Sequence, residues 1–231
     1  MQISGLQKLT LLDYPGMVAC TVFTGGCNLR CPFCHNASLV LPERIAPGDT
    51  QAEVLSFLKK RQGILEGVAI TGGEPLIHDD IDDFLGQVKA LGYKIKLDTN
   101  GSFPQRLKRI VGAGLVDRVA MDIKNAPAQY AKTIGVPGFS IEPIDESKNF
   151  LLEGKIDYEF RTTAVKGLHT AQGILEAARF IAGAREYYLQ QFKDSGDLIN
   201  TEKLGPFNKE EMDALCAAAR EFVPAAQVRG V

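Results

Sequence analysis

The sequence has too few cysteines, and an odd number of them, for a disulfide framework: five in 231 residues, with no secretory segment ahead of them. No apolar run approaches the ~20 residues that span a bilayer, so no membrane association is expected. The start of the chain has neither a basic region nor a long apolar stretch, and clustered free thiols fit a reducing cytoplasm. A formal net charge of −2 lacks the basic excess of a general nucleic-acid binder. Internal repeats, low-complexity tracts and breaks in composition are missing too. With 45% hydrophobic and 23% charged residues, the chain reads as one domain over 1–231, long enough to bury a substantial core.

What is present is concentrated. The run Gly25-Gly26-Cys27-Asn28-Leu29-Arg30-Cys31-Pro32-Phe33-Cys34-His35-Asn36 follows an apolar stretch and spaces three cysteines as C-x3-C-x2-C. Three thiolates in one loop suit a cluster of soft metal ions. A cubane [4Fe–4S] cluster normally takes four Cys ligands, so three leave one iron open to something else. A structural zinc ion instead closes its tetrahedron with four protein ligands. Only His35 is at hand as the fourth, and its adjacency to Cys34 would strain both to reach one small ion. Cys27, Cys31 and Cys34 are therefore read as cluster ligands. Cys20, inside Val18-Ala19-Cys20-Thr21-Val22-Phe23, and Cys216, in an Ala-rich helical stretch, read as packing residues, because a buried thiol behaves as a small hydrophobe.

Short β-branched runs alternate with longer helical patterns. Strands are expected over 17–24, 67–71, 94–98, 118–123, 158–165 and 186–191, and helices over 50–61, 79–91, 104–113, 147–152, 171–182 and 209–222. Thr50 and Asn208 are N-cap candidates, with Glu53 and Glu211 placed to complete capping boxes, and Gly92 sits where a C′ glycine would. Such alternation implies parallel strands joined by right-handed crossovers, as an α/β barrel or an open α/β sheet. Ligands then collect at the C-terminal strand ends. The Cys loop, Thr71-Gly72-Gly73-Glu74-Pro75, Asp98-Thr99-Asn100-Gly101, Asp122-Ile123-Lys124, Arg161 and Gln190-Gln191 all fall at those ends or in those strands.

A Cys loop followed by Gly-Gly-Glu-Pro after the next strand resembles the radical S-adenosylmethionine superfamily, from Leu6 to about Lys193. Within it, Asp13-Tyr14-Pro15-Gly16, the Cys-His-Asn ending, Leu97-Asp98-Thr99-Asn100-Gly101 and Met121-Asp122-Ile123-Lys124 are similar to segments of the glycyl-radical activating enzymes. The resemblance implies an α/β fold, a partial (β/α)6 TIM-like barrel, with its core over about 17–193 and a C-terminal helical segment over about 208–222. It also implies one [4Fe–4S] cluster on Cys27, Cys31 and Cys34, whose open iron is chelated by adenosylmethionine. Reductive cleavage of that cofactor gives methionine and a 5′-deoxyadenosyl radical that abstracts hydrogen. Phe33, Cys34, His35, Gly72, Gly73, Glu74, Asp98, Thr99, Asp122, Lys124, Arg161 and Gln191 are the implied cofactor-binding residues. Asp98, Thr99 and Asp122 would border a monovalent cation.

The implied partner is a glycyl-radical enzyme, with a flavodoxin- or ferredoxin-type reductant. Gln190-Gln191-Phe192-Lys193 stands where pyruvate formate-lyase activating enzyme has a histidine, and no Cys-rich insertion separates the Cys loop from Gly72. Both departures point to the longer activators of anaerobic ribonucleoside-triphosphate reductase. Two alternatives stay open: a radical enzyme with a small-molecule substrate, like the carboxydeazaguanine synthases, and a non-enzymatic iron–sulfur or zinc protein.

Overall fold

Apolar runs and capped amphipathic segments alternate along the chain and build an α/β fold with a parallel-dominated sheet. In the computed structural model, which describes residues 1–46, 48–200 and 202–230, the strands are β1 Ile3–Thr10, β2 Ala19–Thr24, β3 Gly67–Gly72, β4 Lys94–Thr99, β5 Arg118–Asp122, β6 Asp157–Ala164, β7 Tyr187–Gln191 and β8 Ala226–Arg229. The helices are α1 Ala37–Val40, α2 Gln51–Lys59, α3 Ile81–Ala90, α4 Pro104–Gly112, α5 Tyr130–Thr133, α6 Glu142–Leu152, α7 Ala171–Phe180 and α8 Lys209–Ala219. The strands hydrogen-bond in sequence order. By Cα packing the chain forms two compact units, one from residues 1–28, 38–99 and 103–120, the other from 29–37, 100–102 and 121 onward.

In the first unit β1 runs antiparallel to β2, while β2, β3 and β4 are parallel. Val68, Ala69 and Ile70 are buried in succession, the signature of a strand covered on both faces. Helix α3 buries Ile81, Phe84, Leu85 and Val88, an i, i+3, i+4, i+7 stripe. Burying each of these side chains contributes roughly 1.5–3 kcal/mol. The Thr50 hydroxyl accepts from the Glu53 N–H, and the Glu53 carboxylate accepts from the Thr50 N–H, closing the expected capping box of α2. Gly92 has φ +90°, the left-handed C′ conformation glycine supplies without strain.

In the second unit β6, β7 and β8 are parallel, with Phe160 opposite Tyr187 and Tyr187 opposite Ala226. One face packs against helices. There the buried Tyr187 hydroxyl donates to Thr162 Oγ1 at 2.8 Å. Asn208 and Glu211 form the expected capping box of α8. On the other face the Arg229 guanidinium lies 3.2 Å from the Tyr188 ring centroid and reaches the fully buried Glu159 with two 3.1 Å bonds.

The six expected strands are β2 to β7, each within two residues of its expected bounds, but the sheet has eight. Strand β1 escapes the sequence pattern because Gln7, Lys8 and Leu9 are exposed on an edge, so its apolar and polar residues do not alternate cleanly. Strand β8 is only four residues long. Helix α6 starts at Glu142, five residues before the expected Ser147, because Pro143 is tolerated in a first turn. Cys20 and Cys216 are buried in β2 and α8, as packing residues should be.

Candidate cofactor site

Within the first unit, the end of β3 is built around the close approach of two backbones. Gly72 has φ +109°, and a Cβ there would stand 2.6 Å from the Thr24 N and O atoms. A Cβ on Gly73 would lie 1.9 Å from the Gly26 carbonyl oxygen, the peptide just before Cys27. The Gly73 N–H donates to Thr24 O and the Glu74 N–H to Gly26 O, both at 2.8 Å. The two glycines thus pin the start of the Cys loop to the end of β3. His78 adds a third tie by donating a ring N–H to Gly25 O at 3.0 Å.

Glu74 is fully buried. Its Oε1 accepts from the Leu76 N–H at 3.0 Å and from the Thr99 hydroxyl at 2.8 Å. Thr99, grouped by the sequence with a cation site, donates its hydroxyl to Glu74 and so ties β3 to β4. Asp98 is ion-paired to the ammonium of Lys96, which is itself 1% exposed. Lys96 was missed by sequence reasoning. The available signal was the two-residue spacing that puts it on the Asp98 face of β4.

Within the second unit stand Cys31, Cys34, Asp122, Lys124 and Arg161. Asp122 Oδ2 accepts from the Lys124 ammonium at 2.8 Å, and Oδ1 accepts from Arg161 Nε at 3.0 Å. Burial alone would raise the Asp122 carboxyl, but the two cations outweigh it and hold it well below the usual carboxylate range. Burial likewise works against the charge on Lys124, yet Asp122 and the nearby Cys31 hold the ammonium above its ordinary value. Burial pushes the Cys34 thiol up, opposed by the Asn36 backbone and by Lys124. Cys20, lacking such a cation, is pushed up to about 12 by burial and is no candidate thiolate.

Phe33 is buried and meets the His169 ring edge-on, 6.3 Å between centroids. The His35 side chain is exposed. Gln191 donates to the Phe207 carbonyl at 2.7 Å, tying the end of β7 to the entry of α8. The stretch after β7 also reaches back to the Cys loop. Asn200 N–H donates to Pro32 O at 3.0 Å, Ala37 N–H donates to Asp197 O at 3.2 Å, and the Ser195 hydroxyl donates to His35 O at 3.2 Å. Lys166 and Gly205 exchange two further backbone bonds that hold the stretch's far end.

Comparison with known proteins decides the family. The Radical SAM superfamily pattern matches residues 21–181. This chain belongs to the radical SAM superfamily. A Methanocaldococcus jannaschii protein, provisionally named a glycyl-radical enzyme activating enzyme, is 27% identical over 241 residues, covering 99% of this chain and 96% of that protein. The GTP 3',8-cyclase of Aquifex aeolicus is 32% identical over 184 residues, which is 74% of this chain; the chain spans 55% of the cyclase. Among solved structures, a domain of pyruvate-formate lyase-activating enzyme from Bacteroides vulgatus superposes with a TM-score of 0.57 at 18% identity. It covers 71% of this chain and 99% of that one. That likeness shows a shared fold, consistent with the partial TIM-barrel core of radical SAM enzymes.

Radical SAM membership implies a [4Fe–4S] cluster and adenosylmethionine, and the residues present fit them. Three thiols sit in one loop, and that loop is pinned at Gly26, by Arg30 N–H donating to Ile134 O at 2.9 Å, and by the stretch after β7. The Lys124 charge works against the burial that pushes the Cys34 thiol up. Among the described residues no group of three or more His, Cys, Asp or Glu side chains is arranged to hold a metal ion. A cubane instead distributes its protein ligands over different irons.

Proposed function

We propose that this radical SAM enzyme is an activase that installs a glycyl radical on a partner enzyme. The observation that carries the reading is the end-to-end match to the M. jannaschii protein, 99% of one chain against 96% of the other. In this reading Cys27, Cys31 and Cys34 hold one [4Fe–4S] cluster. Adenosylmethionine is bound by residues drawn from Phe33, Cys34, His35, Gly72, Gly73, Glu74, Asp98, Thr99, Asp122, Lys124, Arg161 and Gln191. Cluster and adenosylmethionine together supply an electron and a carbon–sulfur bond whose reductive cleavage yields a hydrogen-abstracting 5′-deoxyadenosyl radical.

The chain's own residues hold and orient. Lys124 offers an ammonium fixed by Asp122, and Arg161 stands against the same carboxylate. Glu74 keeps the glycine turn in place by accepting from Leu76 and Thr99. Lys96 already supplies Asp98 with the positive charge that a monovalent cation would otherwise bring.

The partner we propose is an anaerobic ribonucleoside-triphosphate reductase, from the Gln190-Gln191 departure and the single Cys loop, with a flavodoxin- or ferredoxin-type donor. The test is electron paramagnetic resonance on reduced protein with adenosylmethionine and each candidate partner. A glycyl doublet is expected with the reductase, and it should vanish when the target glycine is alanine. A doublet on pyruvate formate-lyase alone would change the partner and keep the class. The second reading, a small-molecule radical enzyme, is favoured by the 32% identity to a GTP 3',8-cyclase. Turnover of a free nucleotide with no protein radical would replace the first reading with the second.

A further inference from the structure

The segment that leaves β5 is held by side chains to an unusual degree. The Thr162 hydroxyl donates to Ile123 O at 2.6 Å, and the Ile123 N–H donates to Arg161 O at 2.8 Å. The Tyr130 hydroxyl accepts from the Lys124 N–H at 3.3 Å and faces Asp122 O at 3.4 Å, which it can reach as a donor. The Lys124 carbonyl accepts from His169 Nε2 at 2.8 Å. On the other side of that ring, Nδ1 accepts from the Val165 N–H at 3.0 Å. Nε2 therefore carries a proton, because Lys124 O can only accept, and Nδ1 stands between the Val165 N–H at 3.0 Å and the Val165 carbonyl at 3.3 Å.

Both side chains are buried, His169 at 4% and Tyr130 at 1% exposure. They come from different elements, His169 from the loop between β6 and α7 and Tyr130 from the start of α5. They grip the two polar groups of one residue. A loop at a strand end ordinarily leaves such groups to water, and burying an imidazole and a phenol to replace that water needs a reason. Lys124 supplies it. A four-carbon side chain gives its ammonium many positions, and Asp122 can select one only if the backbone below is fixed.

We propose that His169 and Tyr130 are positioning residues that clamp the Lys124 backbone, setting where its ammonium stands for adenosylmethionine. The proposal rests on Lys124 contacting that cofactor. The test uses the full chain reconstituted anaerobically, with iron content read by chemical assay and the adenosylmethionine dissociation constant by equilibrium dialysis. His169→Gln places an amide at the Nε2 position and keeps a donor for Lys124 O. His169→Asn places it at the Nδ1 position and serves only Val165. Asn should weaken adenosylmethionine binding at least fivefold at unchanged iron content, while Gln stays within twofold of the parent.

In a Lys124→Ala background the Asn change should add less than twofold, because its effect runs through that lysine. Equal affinity for Asn, Gln and parent overturns the proposal. So does a fivefold effect that persists without Lys124, or an Asn variant that loses iron. If the Asn variant does not fold, Tyr130→Phe carries the test by removing one oxygen from the other jaw. It should weaken binding at least threefold, and unchanged affinity overturns the clamp. Should Lys124→Ala itself leave affinity unchanged, the cofactor assignment of Lys124 fails and the clamp with it. A loss there without one in His169→Asn sinks the clamp alone.

Discussion

Replacing any of Cys27, Cys31 or Cys34 by Ala should abolish iron binding after anaerobic reconstitution, while Cys20→Ala and Cys216→Ala keep the iron of the parent. Iron and sulfide assays read both arms, and iron lost with Cys216 would refute the three-ligand loop. Gly73→Ala belongs with them. Its Cβ would displace the Gly26 carbonyl beside Cys27, so iron content should fall rather than adenosylmethionine affinity alone. Asp122 gives the pH-dependent case. Its carboxyl is depressed in the folded chain, so its contribution is complete above the unfolded value near 3.9 and is lost as pH falls through the lower folded value. In urea unfolding of the apoprotein at pH 7, Asp122→Asn should cost about 1–3 kcal/mol, the scale of charge-assisted hydrogen bonds. That difference should shrink only in strong acid. At this scale the thiols, the glycine pair and the strand-end charges were legible, because their spacing is local. Lys96, His78 and His169 were not, because a buried polar side chain declares its purpose only through a partner distant in sequence.

The starts of the helices with capping boxes were read to within a residue, since the cap and its partner at the third helical position lie three residues apart. Their ends, at Lys59 and Ala219, fall short of the expected 61 and 222. Asn208→Ala should cost about 1 kcal/mol in urea unfolding, within the 0.5–2 range for lost caps. The last strand was invisible to pattern because four residues carry too little periodicity, and its anchoring is tertiary. Cys216 Sγ donates to Ala226 O at 3.3 Å, and Arg229 forks onto Glu159. Arg229→Ala would take the guanidinium from a fully buried carboxylate. A loss of about 1–3 kcal/mol is expected, the scale for removing hydrogen bonds to a charged group. A loss below 1 kcal/mol in the same assay would show that β8 is held by its backbone alone.

At the scale of the whole molecule, the candidate site residues fall into two sets, each ordered by its own unit: Gly72, Gly73, Glu74, Lys96 and Asp98 in one, Cys31, Cys34, Asp122, Lys124 and Arg161 in the other. The Cys loop is one of the places where the chain passes from one unit to the other, since Cys27 belongs to one and Cys31 to the other. Among the described residues no helix is long and apolar enough to cross a membrane. The stretch after β7 lies beyond the matched superfamily region, which ends at residue 181, yet it gives three hydrogen bonds to the loop between Pro32 and Ala37. A chain shortened within residues 194–200 would keep every recognisable motif and lose those bonds. Its loop would open more often, and each opening is an occasion for dioxygen to strike the cluster. If the loop holds the cluster as proposed, lifetime in air should depend on residues that no motif contains.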